Sequence, residues 1–440
     1  MGLGTPCLAS EKRGQNPMSI VSSGNLIDAL RDTALLSREQ VHEVVRLANG
    51  RCGEARPLAK LLVQRGWLTI YQINQILSGR ANQLVIGPYH VLDRLGQGGL
   101  SSVFHARHAV HEWQVALKLI QAEVIANAEG RRQFLGEMEA MARLEHPNIV
   151  QFCDADEVGD TFYYAMEYVE GTDLGKYVRL TGQLPIAEAC DYIRQTALGL
   201  QHAHERNLIH RDIKPVNLYL THVPSLIREQ PQVRHSSEPK KKQPALIKIL
   251  DWGLASLRSP RGMAGEQMIE HIAKGVIGTA DYLSPEQARN AQAVDIRGDI
   301  YSLGCTFYYL LTGQAPFPTG SLMQKVLQHQ NAEPEPLESF RDDVPWEVSL
   351  ILKRMMAKEP ERRFQTPAGV ALTLLPFSRE QNSKQAPRTL PRMKLPEALR
   401  SASISEATPM PISLGGVPGT STSRTPKAGQ PGSSDTSSSR

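Results

Sequence analysis

One stretch constrains this chain more than any other: residues 209–217, reading IHRDIKPVN. Asp212 is placed to accept or orient the proton of an attacking hydroxyl. Lys214, two residues on, can neutralise charge on a migrating anionic group. Asn217 offers an amide oxygen to a hard cation such as Mg2+, which prefers oxygen ligands. His210 reads as a structural residue in preference to a base, and Arg211 suits an anion on a neighbouring loop. Such a set is useful only if groups far along the chain reach it. The fold must therefore bring distant segments round one cleft.

Those distant groups can be picked out. LGQGGLSSV, residues 95–103, lies between two strand-like segments, YHVLDRLG and VFHARH. Glycines at 96, 98 and 99 let a hairpin turn bring backbone amides close to an anion, because no Cβ blocks the approach. On its own such a turn is more often a plain hairpin, and it is not the GxxxxGK[ST] pattern of a P-loop. Further on, VALK places Lys118 on an apolar strand, where a lysine commonly snorkels. A helical stretch, RRQFLGEMEAMARL, then offers Glu137 beside Phe134, Met138, Met141 and Leu144. A buried lysine needs a partner anion, and Glu137 is the expected one. ILDWGLA supplies Asp251 as a metal-chelating carboxylate next to Trp252, whose N–H needs a partner, and Gly253. In GTADYLSPE, Thr279 can bond into the 209–217 loop, while Glu286 calls for a buried arginine. Arg363 of KEPERRF is the candidate. Asp299 of GDIYSLG is placed to fix the loop backbone from a central helix.

The chain has 440 residues and a formal charge of +4. Its basic excess sits in two places: residues 378–440, with nine Lys or Arg against four Asp or Glu, and 221–245, with five against two. That distribution describes solvated linkers, so no nucleic-acid face is expected. Five scattered cysteines without CxxC spacing predict a reduced, cytoplasmic protein with no structural zinc. No run approaches the roughly 18–20 apolar residues of a membrane span, and no signal peptide or myristoylation pattern opens the chain.

Residues 1–24, rich in Gly, Ser and Pro, read as a disordered leader. From 25 to 80 the pattern is helical, with Ser37/Gln40 and Thr69/Gln72 as capping boxes and Leu68 and Ile73 as a hydrophobic staple. Gly50, Gly66 and Gly79 are the stops. This predicts three or four short helices, read as a docking module for a partner protein. Strand-like and helix-like segments alternate from about 86 to 377, broken by the Pro- and Lys-rich stretch 221–245, an exposed insertion. The tail 378–440, rich in Ser, Pro and Thr, reads as disordered.

In order and near-family spacing, LGQGG, VALK, a helix glutamate, MEYVEG, HRDIKPVN, DWG, GTADYLSPE, DIYSLG and ERRF resemble the eukaryotic-like (Hanks-type) Ser/Thr protein kinases, particularly the bacterial ones. The resemblance covers about residues 89–377. It implies an α+β, bilobal protein-kinase fold over residues 87–377, with a β-rich N-lobe and a helical C-lobe, here preceded by the helical module. It also implies ATP with Mg2+, or Mn2+ in its place, and transfer of the γ-phosphoryl group to Ser or Thr hydroxyls of proteins, the chain itself included, in signalling. Asp212, Lys214 and Lys118 would be catalytic, and Asn217 and Asp251 would hold the metal. The nucleotide would meet Leu95, Gly96, Gln97, Gly98, Gly99, Leu100, Ser101, Ser102, Val103, Ala116, Lys118, Glu137, Glu167, Val169 and Asp173. Met166 would be the gatekeeper, and Lys214 after the aspartate resembles Ser/Thr rather than tyrosine kinases.

Four departures stand out. Ser101 replaces the usual third glycine, and Trp252 the usual phenylalanine. Tyr219 takes a place beneath adenine where a smaller aliphatic residue is usual. Residues 261–278 contain no Ser, Thr or Tyr, which predicts activity without a phosphate on that segment, with Glu266 or Glu270 satisfying Arg211; the alternatives are Ser256 or Ser259 as acceptor, or a disordered loop. Two rival readings are a pseudokinase scaffold and a small-molecule phosphotransferase on the related fold.

Overall fold

The computed structural model describes residues 20, 22–49, 54–98, 101–120, 128–159, 161–221, 245–252, 279–289 and 294–378. Four short helices come first: α1 (Ser23–Asp32), α2 (Arg38–Asn49), α3 (Ala55–Gln64) and α4 (Ile70–Leu77). The first begins inside the stretch read as leader, because the Ser22 hydroxyl caps it by accepting from the Asn25 amide at 3.2 Å. Both capping boxes form. Gln40 and Ser37 exchange bonds of 3.2 and 2.8 Å, and Gln72 and Thr69 exchange bonds of 3.1 and 2.9 Å. Leu68 and Ile73, flanking the second box, are buried in one cluster with Leu26, Leu30, Leu62 and Ile76. Gly66 closes α3 at φ +68°, a left-handed position that glycine takes without Cβ strain.

The chain then enters a six-stranded antiparallel sheet in the order β1-β2-β3-β4-β6-β5. Its strands are β1 (Val85–Ile86), β2 (Tyr89–Gln97), β3 (Ser101–His108), β4 (Gln114–Ile120), β5 (Phe152–Val158) and β6 (Thr161–Glu167). Strand alternation separates the faces. Leu117, Ala106, Val115 and Tyr163 pack on the outer side, whereas Ala116, Ile120, Tyr164 and Met166 face inward. Helix α5 (Ala128–Met141) closes the inner side with Phe134, Met138 and Met141.

A second, three-stranded sheet joins β7 (Gly171–Asp173), β8 (Leu218–Thr221) and β9 (Leu246–Ile249). Around it lie α6 (Leu174–Thr181), α7 (Ile186–His204), α8 (Pro285–Arg289), α9 (Ile296–Thr312), α10 (Leu322–Asn331), α11 (Trp346–Met355) and α12 (Pro367–Leu374). Helix α9 is apolar almost all round and accordingly runs through the middle of this helical part. Gly304 lets it approach its neighbours: an added Cβ would stand 2.8 Å from Met356 Cγ. Thr221 belongs to β8 and is buried, and Ala245 packs on the core, so both ends of the stretch read as an exposed insertion are part of the fold. Residues 222–244, 1–19 and 379–440 lie outside the described residues. Among the described residues, no helix is long and apolar enough to cross a membrane.

Candidate active site

The 209–217 loop leaves α7 and enters β8, and its backbone is fastened from below by α9. The Asp299 carboxylate, 1% exposed, accepts from the His210 amide and the Arg211 amide, each at 2.7 Å. Burial raises the carboxyl above the usual range, and the two amides oppose that rise. His210 is fully committed to structure. Its Nε2 lies 2.8 Å from the Leu250 carbonyl, which only accepts, so that nitrogen carries the proton; its Nδ1 then accepts from the Asp212 amide at 3.2 Å. No lone pair remains for a base, in line with the structural reading. Arg211 adopts φ +64°, a left-handed conformation costing about 1–2 kcal/mol for a residue with a Cβ. Asp299 on its amide and Gln287 on its carbonyl, at 2.7 Å, hold it there.

That clamped loop presents Asp212, Lys214 and Asn217 together. Lys214 Nζ stands 2.9 Å from Asp212 Oδ1. Asn217 donates its amide nitrogen to the Asp212 carbonyl at 2.7 Å, which fixes the orientation of the side-chain amide. The Leu250 amide, just past β9, donates to the Asn217 carbonyl at 2.9 Å, and Asp251 is the next residue. Asp251 also lies in the left-handed region, at φ +61°. Two strained non-glycine residues flank this cleft, as functional sites often show.

Lys118 reaches Asp251 from the other sheet. Its Nζ is 2.7 Å from Asp251 Oδ1, and its side chain is 1% exposed. Position 118 is inward-facing on β4, and a lysine so deeply buried is stable only beside an anion. Glu137, the expected partner, is half-buried on α5. At the hairpin, the Gly98 amide donates to the Ser101 carbonyl at 2.8 Å, and Gln97 pairs with Ser102 across the strands. A Cβ on Gly96 would meet nothing within 4 Å among the described residues. Gly99 and Leu100 lie outside the described residues.

The inner ceiling is apolar. Ala116 and Met166 are buried, with Val103 and Val169 packed against the same cluster and Leu95 exposed at the edge. Asp173 caps α6, its Oδ1 accepting from the Lys176 amide at 2.7 Å. Tyr219 is tied down: its hydroxyl donates to the Gly171 carbonyl at 3.0 Å, and burial pushes its pKa up to about 12.

Arg363 supplies what Glu286 needs. The guanidinium is fully buried and forks onto both carboxylate oxygens at 2.6 and 2.8 Å. Its other N–H groups go to the carbonyls of Ala357, Arg297 and Lys358. Trp252 is buried edge-on to His210, with ring centroids 4.8 Å apart, and its Nε1 has no hydrogen-bond partner among the described residues. Gly253, the Thr279 side chain and the 260–278 segment, with its proposed Glu266 or Glu270 contact to Arg211, lie outside the described residues.

One ion pair between the sheets had no sequence signal. Lys248 on β9 bonds Glu167 Oε2 at 2.8 Å, joining the second sheet to the end of β6. The two are far apart in the chain; Glu167 is expected at the nucleotide, and nothing near either residue marks the other as its partner.

Comparison with known proteins identifies the family. A family model described as protein kinase domain matches residues 89–372. Serine/threonine-protein kinase PrkC of Bacillus subtilis is 33% identical over 282 residues, covering 64% of this chain and 39% of PrkC. Serine/threonine-protein kinase PknB of Mycobacterium leprae is 32% identical over 306 residues, covering 69% of this chain and 44% of PknB. The chain thus spans less than half the length of these two relatives. The solved Mycobacterium tuberculosis PknI kinase domain is 27% identical, covers 67% of this chain and 97% of its own, and has a TM-score of 0.48. The chain belongs to the protein kinase domain family, in the company of the eukaryotic-like serine/threonine kinases of bacteria.

Proposed function

We propose that this chain is an ATP-dependent protein kinase, moving the γ-phosphoryl group of Mg-ATP to Ser and Thr hydroxyls of proteins, itself included, in signalling. One observation carries the reading: Lys118 and Asp251 meet at 2.7 Å across the two sheets, beside the Asp212–Lys214 pair at 2.9 Å. The donor set fits magnesium or manganese. One carboxylate, Asp251, and one amide oxygen, Asn217, are hard ligands of the number Mg2+ takes when phosphate oxygens complete its shell. Bound there, the ion neutralises charge on the phosphate oxygens.

The residues divide the work. Lys118 orients the α- and β-phosphates, and Leu95, Val103, Ala116 and Met166 enclose the base. Asp212 orients the incoming hydroxyl and receives its proton. Lys214 stabilises negative charge on the group in flight, so most of the rate comes from alignment and fixed charge. Residues 87–377 form the catalytic unit. Cytoplasmic residence is supported by Cys190 and Cys305, both buried as free thiols.

Incubation of the purified chain with γ-labelled Mg-ATP tests this. The expected label is phosphoserine or phosphothreonine on protein, falling at least about a hundredfold in Lys118→Met. Label on a small-molecule acceptor alone, or none, contradicts it.

A further inference from the structure

The helical segment before the sheet is built from two like halves. Leu30, Leu36, Ser37, Gln40 and Val44 of α1–α2 correspond in order and spacing to Leu62, Leu68, Thr69, Gln72 and Ile76 of α3–α4. The turn between the helices carries a left-handed residue in each, Ala34 at φ +48° and Gly66 at φ +68°. The two capping boxes are therefore equivalent positions in a repeated unit, and their differences are informative.

In the first box, Ser37 and Gln40 satisfy each other, and the Ser37 hydroxyl turns to the neighbouring Glu39 carboxylate. Ser37 is exposed. In the second box, the same acceptor atoms cap α4, but both donors leave the helix. Gln72 Nε2 donates to the Val91 carbonyl at 2.8 Å, and the Thr69 hydroxyl donates to the Leu92 carbonyl at 2.5 Å. Gln72 is 3% exposed.

These two carbonyls sit where β2 loses its ladder. The register of β2 with β3 jumps between Val91 and Asp93, so Leu92 is the extra residue of a bulge. A buried carbonyl left unpaired there would be costly. The capping box of α4 supplies the missing donors. Tyr71, between the two clamp residues, lies against Phe104 of β3 with ring centroids 6.4 Å apart. Both strands of the hairpin are thus held a few residues before the Gly96–Gly98 turn.

We propose that Gln72 and Thr69 are positioning residues for nucleotide binding, clamping the β2–β3 hairpin over the triphosphate, so that the helical module is part of the nucleotide site. This rests on the ATP-binding reading above. It goes beyond the docking role expected of these helices.

Gln72→Glu separates the clamp from the cap, because a carboxylate oxygen still accepts from the Thr69 amide but offers the Val91 carbonyl no donor. Gln40→Glu makes the same change in the first box and is the control. Thr69→Val, which removes the second clamp bond, is the independent variant. Amide hydrogen exchange over β2 and β3, with α9 as internal reference, is measured alongside ATP KM and kcat. The expected result is faster exchange in β2–β3 alone for Gln72→Glu, joined by α4 in Thr69→Val because that hydroxyl also caps the helix, and an ATP KM raised about threefold to tenfold at nearly constant kcat in both but not in Gln40→Glu. If the wild-type chain transfers no phosphoryl group, the kinase reading fails while exchange still decides whether the clamp exists. Unchanged β2–β3 exchange in both variants, or an equal change in Gln40→Glu, overturns the proposal.

Discussion

Asp212→Asn lowers phosphoryl transfer by about two to four orders of magnitude while ATP affinity stays within about twofold. The substitution keeps volume and one acceptor oxygen. It removes the negative charge that stands 2.9 Å from Lys214 and, on the reading proposed above, the group that takes the hydroxyl proton. The loop itself does not depend on that side chain, because Asp299 fastens the His210 and Arg211 amides and the Asp212 carbonyl still receives Asn217. Binding and chemistry therefore separate. Single-turnover transfer at saturating ATP reads the second, and equilibrium titration the first. A near-wild-type rate in Asp212→Asn contradicts the assigned role.

Arg363→Met destabilises the domain by about 3–5 kcal/mol, seen as a drop of roughly 10 °C in Tm. Methionine matches the side chain in bulk but offers no donor. It strands the Glu286 carboxylate, only 15% exposed, and three carbonyls that the guanidinium now satisfies. The stacking of Arg363 on Tyr301, 4.9 Å from the ring centroid, is lost as well. Lysine does not rescue, since a single ammonium cannot reproduce the planar fork. Arg31→Met, breaking the exposed i,i+3 pair with Asp28, is the contrast and changes stability by less than about 1 kcal/mol. Equal effects of the two variants would refute the buried-fork account.

Much of this was legible because motif residues carry their partners' chemistry with them. A glutamate in GTADYLSPE requires an arginine, and KEPERRF offers Arg363, which the structure places on it. A capping box is local, so Ser37/Gln40 and Thr69/Gln72 could be read from four residues each. What escaped reading is non-local. Nothing near Gln72 says that its Nε2 meets Val91, because that depends on a bulge in a strand further along. The same holds for Lys248 and Glu167, whose ion pair depends on the sheets being juxtaposed and leaves no mark near either residue in the chain. The start of α1 was misplaced because Ser and Gly dominate residues 22–24. There Ser22 acts as a cap, and composition alone could not separate a cap from a leader.

The central claim is convergence: Lys118, Asp212, Asn217 and Asp251 act on one metal-bound nucleotide. Calorimetric titration of ATP, with Mg2+ and with chelator, into the wild-type chain and Asp251→Asn addresses it directly. Wild-type affinity rises at least about tenfold with Mg2+, and that gain disappears in Asp251→Asn. ATP binding indifferent to Mg2+ in the wild type, or an undiminished Mg2+ effect in Asp251→Asn, would contradict it.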